Sequence, residues 1–188
     1  DFGGACTHAP DDLARSGAIV VWGKNLAVTR IHSLPYVKEA RSRGARLIVI
    51  DPVTSATARL ADDHLALRPG SDSLLAIGVA RLLIERNAVD EDFVTRHSNG
   101  FGACRSAIMA VPMDAVVAGT DLSIARIEEL ARIYAEVDPV ATMIGLGASY
   151  WHNSGETVRL IDSLAAMTGN IGVSGGGAHT DIDGSEHL

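Results

Sequence analysis

The chain has 188 residues, 47% of them apolar and 21% charged, a composition that can bury a real core and excludes intrinsic disorder. A net charge of −7 with no block of Lys and Arg excludes a phosphate-backbone partner such as nucleic acid. The longest apolar runs fall far short of the ~20 residues of a membrane span, and aromatics at only 4% argue against a β-sandwich.

The chain starts in mid-phrase at Asp1, in the Gly-rich stretch Phe2-Gly3-Gly4-Ala5, with no initiator Met and no secretory apolar segment. A piece cut from a longer protein is the expectation. Gly17-Ala18-Ile19-Val20-Val21-Trp22-Gly23 is an apolar run bounded by glycines, the profile of a strand buried on both faces. Leu34 to Arg43 has helical spacing and ends at Gly44, a good residue to follow a helix. Arg46-Leu47-Ile48-Val49-Ile50-Asp51-Pro52 predicts a second buried strand stopped by proline. Strand, helix and strand within about 35 residues is the length of a parallel βαβ unit.

A third short strand is expected over His64–Arg68, then Pro69-Gly70 and a long helix from Ser71 to Arg86 with Leu74, Leu75, Val79, Leu82 and Leu83 on one stripe. Asp90 to Gly119 reads as short helices with loose joints at Pro112 and Gly119. Further expectations are a helix over Ser123–Glu136, a strand over Val140–Gly145, a helix over Glu156–Met167 and a loop over Gly169–Gly177. The fold class is α/β: a doubly wound, mostly parallel, Rossmann-like sheet with helices on both faces, forming one domain over 1–188.

In such folds ligands bind beyond the carboxyl ends of the strands. Four of those ends carry suggestive residues. After the first strand stands Gly23-Lys24-Asn25, where glycine lets backbone approach a ligand and free N–H groups can face a phosphate. The spacing is not that of the dinucleotide fingerprint, and an ordinary strand-to-loop glycine is the plain alternative. Asp51 ends the second strand, where a carboxylate can accept ribose hydroxyls, or can simply make a turn before Pro52. Arg68-Pro69-Gly70-Ser71-Asp72 opens the long helix. Asp72 either complements the helix dipole or accepts N1–H and N2–H of a guanine edge. Gly145-Leu146-Gly147 repeats the theme of close backbone approach after the fourth strand.

Other chemistry is missing. Cys6 and Cys104 form no C-x-x-C pair, and the seven histidines make no metal pattern, which excludes a zinc or iron–sulfur centre held by this chain alone. There is no H-E-x-x-H, no Walker lysine loop and no nucleophilic triad spacing. His32, His64 and His97 read as surface or packing residues, and Cys104 as a small core residue. The chain is expected to hold a nucleotide-bearing cofactor and to supply no catalytic or metal-ligating residue.

Six phrases in order carry a family resemblance: Val20-Val21-Trp22-Gly23-Lys24-Asn25, Gly44 through Pro52, Arg68 through Asp72, Val89-Asp90-Glu91-Asp92-Phe93-Val94, Gly145-Leu146-Gly147 and Thr168-Gly169-Asn170-Ile171-Gly172. Together they resemble the molybdopterin oxidoreductases, the group of dimethyl sulfoxide reductase, formate dehydrogenase and dissimilatory nitrate reductase. The resemblance runs from about Gly17 to Gly177. It implies a parent enzyme with molybdenum or tungsten and two molybdopterin guanine dinucleotides, one of them gripped by this domain. Gly23, Lys24, Asn25 and Thr29 would then lie along the pyrophosphate, and Asp51, Pro52 and Val53 would face the ribose. Arg68, Gly70 and Asp72 would frame the guanine, and Gly145 and Gly147 would pass the pterin side. On this reading Gly23→Val costs cofactor retention and spares the fold.

Two departures from the family pattern stand out: Leu26 where many members have Pro, and Val53 where Arg is usual. The family's 4Fe-4S segment and its metal ligand are expected upstream, and Cys6, 17 residues before Gly23, is a poor candidate for that ligand. Implied partners are the remaining domains of the parent enzyme and electron-transfer subunits. A competing reading is a non-catalytic scaffold such as the large iron–sulfur subunit of respiratory complex I. Retention of Gly23-Lys24-Asn25, Asp51 and Asp72 argues against it.

Overall fold

The computed structural model describes residues 9–151 and 153–180, so Cys6 and His152 lie outside the described part. Five strands form one sheet: β1 (Ala18–Trp22), β2 (Arg46–Ile50), β3 (Asp63–Leu65), β4 (Val140–Ile144) and β5 (Ala178–Thr180). Their order is β3-β2-β1-β4-β5 and every pairing is parallel. All five residues of β1, and all five of β4, are buried. A strand covered on both faces has no polar side to present, so its sequence is a continuous apolar run rather than an alternation.

Eight helices are described: α1 (Leu26–Thr29), α2 (Leu34–Ser42), α3 (Asp72–Glu85), α4 (Glu91–His97), α5 (Phe101–Ala110), α6 (Met113–Thr120), α7 (Ile124–Glu136) and α8 (Ser154–Met167). Successive side chains of a strand point to opposite faces, and two cores result. Val20, Trp22, Ile48 and Ile50 pack with α3, α7 and α8 in the larger core. Ile19, Val21, Leu47 and Val49 pack with Leu26 of α1 and Val37 and Ala40 of α2 in the smaller one. This is the doubly wound α/β arrangement that the sequence predicts, with more mass on one face than the other.

Local signals explain the boundaries. Gly44 takes φ +98° just past α2, a conformation that only glycine adopts without strain. Asp90 caps α4, its carboxylate accepting from the Phe93 N–H at 2.8 Å. The expected strand over His64–Arg68 is shorter and lies at Asp63–Leu65, because Arg68 turns away to donate its N–H to the Thr120 carbonyl. The three-residue β5, beyond the Gly-rich loop, has no counterpart in the sequence reading. Among the described residues no single helix is long and apolar enough to cross a membrane.

Candidate functional site

β1 and β4 are neighbours at the centre of the sheet, yet the chain leaves β1 toward the smaller core and β4 toward the larger one. In folds of this kind the switch point between two such segments, at the carboxyl ends of the strands, is where ligands bind. A buried polar string underpins it. Trp22 Nε1 donates to Tyr134 Oη at 3.3 Å, and that hydroxyl shares a 2.9 Å hydrogen bond with Thr142 Oγ1. Burial pushes the Tyr134 phenol up to about 12, so it stays neutral and serves as a link between strands and helix.

Gly23, Gly145 and Gly147 come together at this switch point. The Gly147 N–H donates to the Gly23 carbonyl at 3.1 Å, and the Gly145 N–H donates to the Trp22 carbonyl at 2.8 Å. A Cβ on Gly145 would stand 2.4 Å from the Gly23 carbonyl oxygen, and one on Gly147 would stand 2.6 Å from it. Gly23 itself has φ +55°, and its Cβ would meet the Ala148 nitrogen at 2.7 Å. The close approach these glycines permit is therefore between the two loops themselves, which corrects the expectation that Gly23 could be enlarged without harm to the fold.

Lys24 is buried beside them. Asn25 Oδ1 accepts from Thr57 Oγ1 at 2.9 Å, and the same hydroxyl accepts the Ala27 N–H at 3.0 Å. Thr57 is fully buried and ties the loop after β1 to the segment after β2. The sequence reading missed it, since a threonine in a polar loop carries no signal of its own. Thr29 is exposed, one turn on, with its hydroxyl donating to the Asn25 carbonyl at 3.0 Å.

Asp51 is buried at the end of β2. One carboxylate oxygen accepts the Val53 N–H at 3.0 Å, so the turn role is real and leaves the second oxygen for other work. His64 contacts the Asp51 carbonyl through Nε2 at 2.8 Å, a packing role as expected. Pro52 and Val53 stand exposed on the rim.

Asp72 is the first residue of α3 and is buried. Burial, first of all, pushes its carboxyl up to about 6; its own backbone N–H draws it down, and the charge of Asp51 pushes it up again. The two acidic side chains, one after β2 and one at the start of α3, thus lie close enough for each charge to act on the other. Gly70, at φ +80°, lies under the indole of Trp151, with a Cβ there 2.9 Å from Cδ2 of the ring. Arg68 points elsewhere: its guanidinium makes a two-pronged pair with Asp121, at 2.9 and 2.6 Å, on the exposed surface. Cys104 is half-buried against the larger core, and burial raises its thiol.

The family model for molybdopterin oxidoreductase matches residues 3–182. The chain is 39% identical over 179 residues to a probable oxidoreductase, YyaE, of Bacillus subtilis, covering 95% of this chain and 27% of that protein. It is 34% identical to formate dehydrogenase H of Escherichia coli over 90% of this chain and 24% of the other. Acetylene hydratase from Pelobacter acetylenicus superposes with a TM-score of 0.77 at 26% identity, over 85% of this chain and 24% of that one. The chain therefore spans about a quarter of the length of the curated relatives it matches. With a parallel α/β sheet and a family match along nearly its whole length, this chain belongs to the molybdopterin oxidoreductase family.

Proposed function

We propose that the chain is the domain of a larger molybdenum or tungsten oxidoreductase that holds the guanosine and phosphates of one molybdopterin guanine dinucleotide. The observation that carries the reading is Asp72, a buried carboxylate at the carboxyl ends of a parallel sheet, facing the charge of a second carboxylate, Asp51. An ionised carboxylate only accepts hydrogen bonds, and a guanine edge offers two adjacent donors, N1–H and N2–H. Such a ligand gives the buried carboxylate the hydrogen bonds that burial denies it.

Asp51 has one oxygen engaged in its turn, and the other suits a ribose hydroxyl on the rim beside Pro52 and Val53. Gly23, Lys24 and Asn25 form the loop along the phosphates, with Thr29 one turn further. Gly145 and Gly147 hold that loop in place and border the pterin side. Gly70 takes part through the indole that rests on it. When bound, the cofactor supplies the metal and the two-electron or oxygen-atom chemistry. This chain's residues bind and orient it.

The relatives support this division of labour. A protein named a formate dehydrogenase and one named an acetylene hydratase both contain the domain, so substrate and reaction are set outside it. The 4Fe-4S cluster and the electron-transfer partners belong to those other parts. Calorimetric titration of the chain with guanosine diphosphate, inosine diphosphate and adenosine diphosphate tests the reading. Guanosine diphosphate should bind at least tenfold tighter than the other two, since inosine lacks the N2 donor pair and adenine reverses the edge. Equal affinity for all three would remove guanine recognition from this chain.

A further inference from the structure

Trp151 has so far entered only as the ring that rests on Gly70. It follows β4 by a few residues and lies over Gly70, at the opening of α3. A Cβ on Gly70 would be 2.9 Å from Cδ2, 3.0 Å from Cε3 and 3.3 Å from Cγ of its indole. Cδ2 is a fusion carbon, surrounded in the ring plane by three bonded neighbours, so it can be the nearest atom only when the ring is approached through its face. One face of the indole is thus laid on the Gly70 backbone. The residue is nonetheless 47% exposed, and with one face against Gly70 it is the opposite face and the rim that remain to carry that area. A large apolar ring held flat by a glycine and left open on its other side is unusual for a packing residue, which would bury both faces.

Two residues beyond Gly70 stands Asp72, the carboxylate assigned above to a purine edge. An edge reader and a flat aromatic face are the two elements that a base site combines, one for identity and one for affinity. Gly70 then has a definite purpose: any side chain there would lift the indole off its seat.

We infer that the open face of Trp151 is the stacking platform for the purine base whose edge Asp72 reads. The inference rests on the proposed guanine reading, and it adds the residue that supplies the affinity without supplying the selectivity.

The test uses the chain itself, which holds two tryptophans, Trp22 fully buried and Trp151 half-exposed. Wild type, Trp151→Leu and Trp151→Phe are titrated with guanosine diphosphate and with inorganic pyrophosphate, which has no base to stack. Guanosine diphosphate should quench the Trp151 emission and leave that of Trp22. Its affinity should fall about tenfold in Trp151→Leu and stay within about threefold in Trp151→Phe. Pyrophosphate should bind all three proteins alike. Equal guanosine diphosphate affinity in Trp151→Leu would overturn the inference and leave the guanine reading standing. A matching loss of pyrophosphate binding would overturn it too, by showing that Trp151 acts on the loop and not on the base. Absence of guanosine diphosphate binding to the wild type would defeat both readings together.

Discussion

Gly23 and Gly145 lie against one another at the centre of the sheet, so tightly that a Cβ on Gly145 would sit 2.4 Å from the Gly23 carbonyl oxygen and 2.5 Å from Cβ of Lys24. Neither loop can retreat freely, because the Gly145 N–H is bonded to the Trp22 carbonyl and the Gly23 N–H to that of Ile50. Gly145→Ala should therefore cost about 2–3 kcal/mol of stability through overpacking against backbone. Gly23→Val adds a β-branched side chain at positive φ and should cost more, about 3–4 kcal/mol. Urea denaturation measures both, and a wild-type midpoint for either variant would contradict the packing described.

Asp72 gives the chain a distinctive pH dependence. Its folded-state carboxyl is raised to about 6 from an ordinary 3.8. A raised acid favours the folded state when protonated, so its contribution is fully present below about pH 4 and is lost as pH rises to about 6 and beyond. The loss amounts to about 2–3 kcal/mol at neutral pH. Asp72→Asn should stabilise the ligand-free chain by about 2 kcal/mol at pH 8, and hardly change it at pH 4. The same variant should bind guanosine diphosphate more weakly, by an amount equivalent to ~2–4 kcal/mol, because an amide donor would oppose a guanine N–H. A pure helix-capping role predicts neither effect, since Asn caps as well as Asp.

The sequence made β1, β2 and β4 legible because burial on both faces leaves an uninterrupted apolar run, and α3, α7 and α8 legible because each buries one stripe. β5 escaped notice: three residues after a glycine-rich loop have no periodicity, and only pairing with β4 defines them. At the site, positions were legible and partners were not. Glycines and acids at strand ends are visible from topology alone, but nothing in the linear order shows that Gly23 packs on Gly145, or that the indole of Trp151 covers Gly70. Arg68 shows the same limit. Its place beside α3 is plain from the sequence, whereas the Asp121 partner that turns its guanidinium outward becomes apparent only in three dimensions.

Asp162 of α8 carries a buried carboxylate oxygen, Oδ1, with no hydrogen-bond partner among the described residues. Burial raises its carboxyl to about 6. The sign is that of Asp72: stability held at low pH and lost as pH rises past the raised value. Part of this side chain reaches solvent, so the gain from Asp162→Asn should be smaller, about 1 kcal/mol at pH 8. Combined with Asp72→Asn it should flatten most of the fall in stability between pH 4 and pH 7. A slope in the double variant as steep as that of wild type would show that other groups govern it.

The hydroxyl of Tyr134 is the joint between β1, β4 and α7, and it can be removed without changing the packing shape. Tyr134→Phe deletes the acceptor of the Trp22 Nε1–H and the partner of Thr142 Oγ1, leaving two polar groups unpaired in the larger core. The expected cost is about 2–3 kcal/mol, read from urea unfolding. Thr142→Val alone removes one end of the string and should cost about 1 kcal/mol. In the Tyr134→Phe background the same substitution deletes a group already stranded, and should cost nothing or restore some stability. A double-mutant cycle therefore gives a coupling of about 1 kcal/mol or more if the three groups act as one string. Additive losses would mean that Thr142 finds another partner, and that the carboxyl end of β1 is held by apolar packing around Trp22 alone.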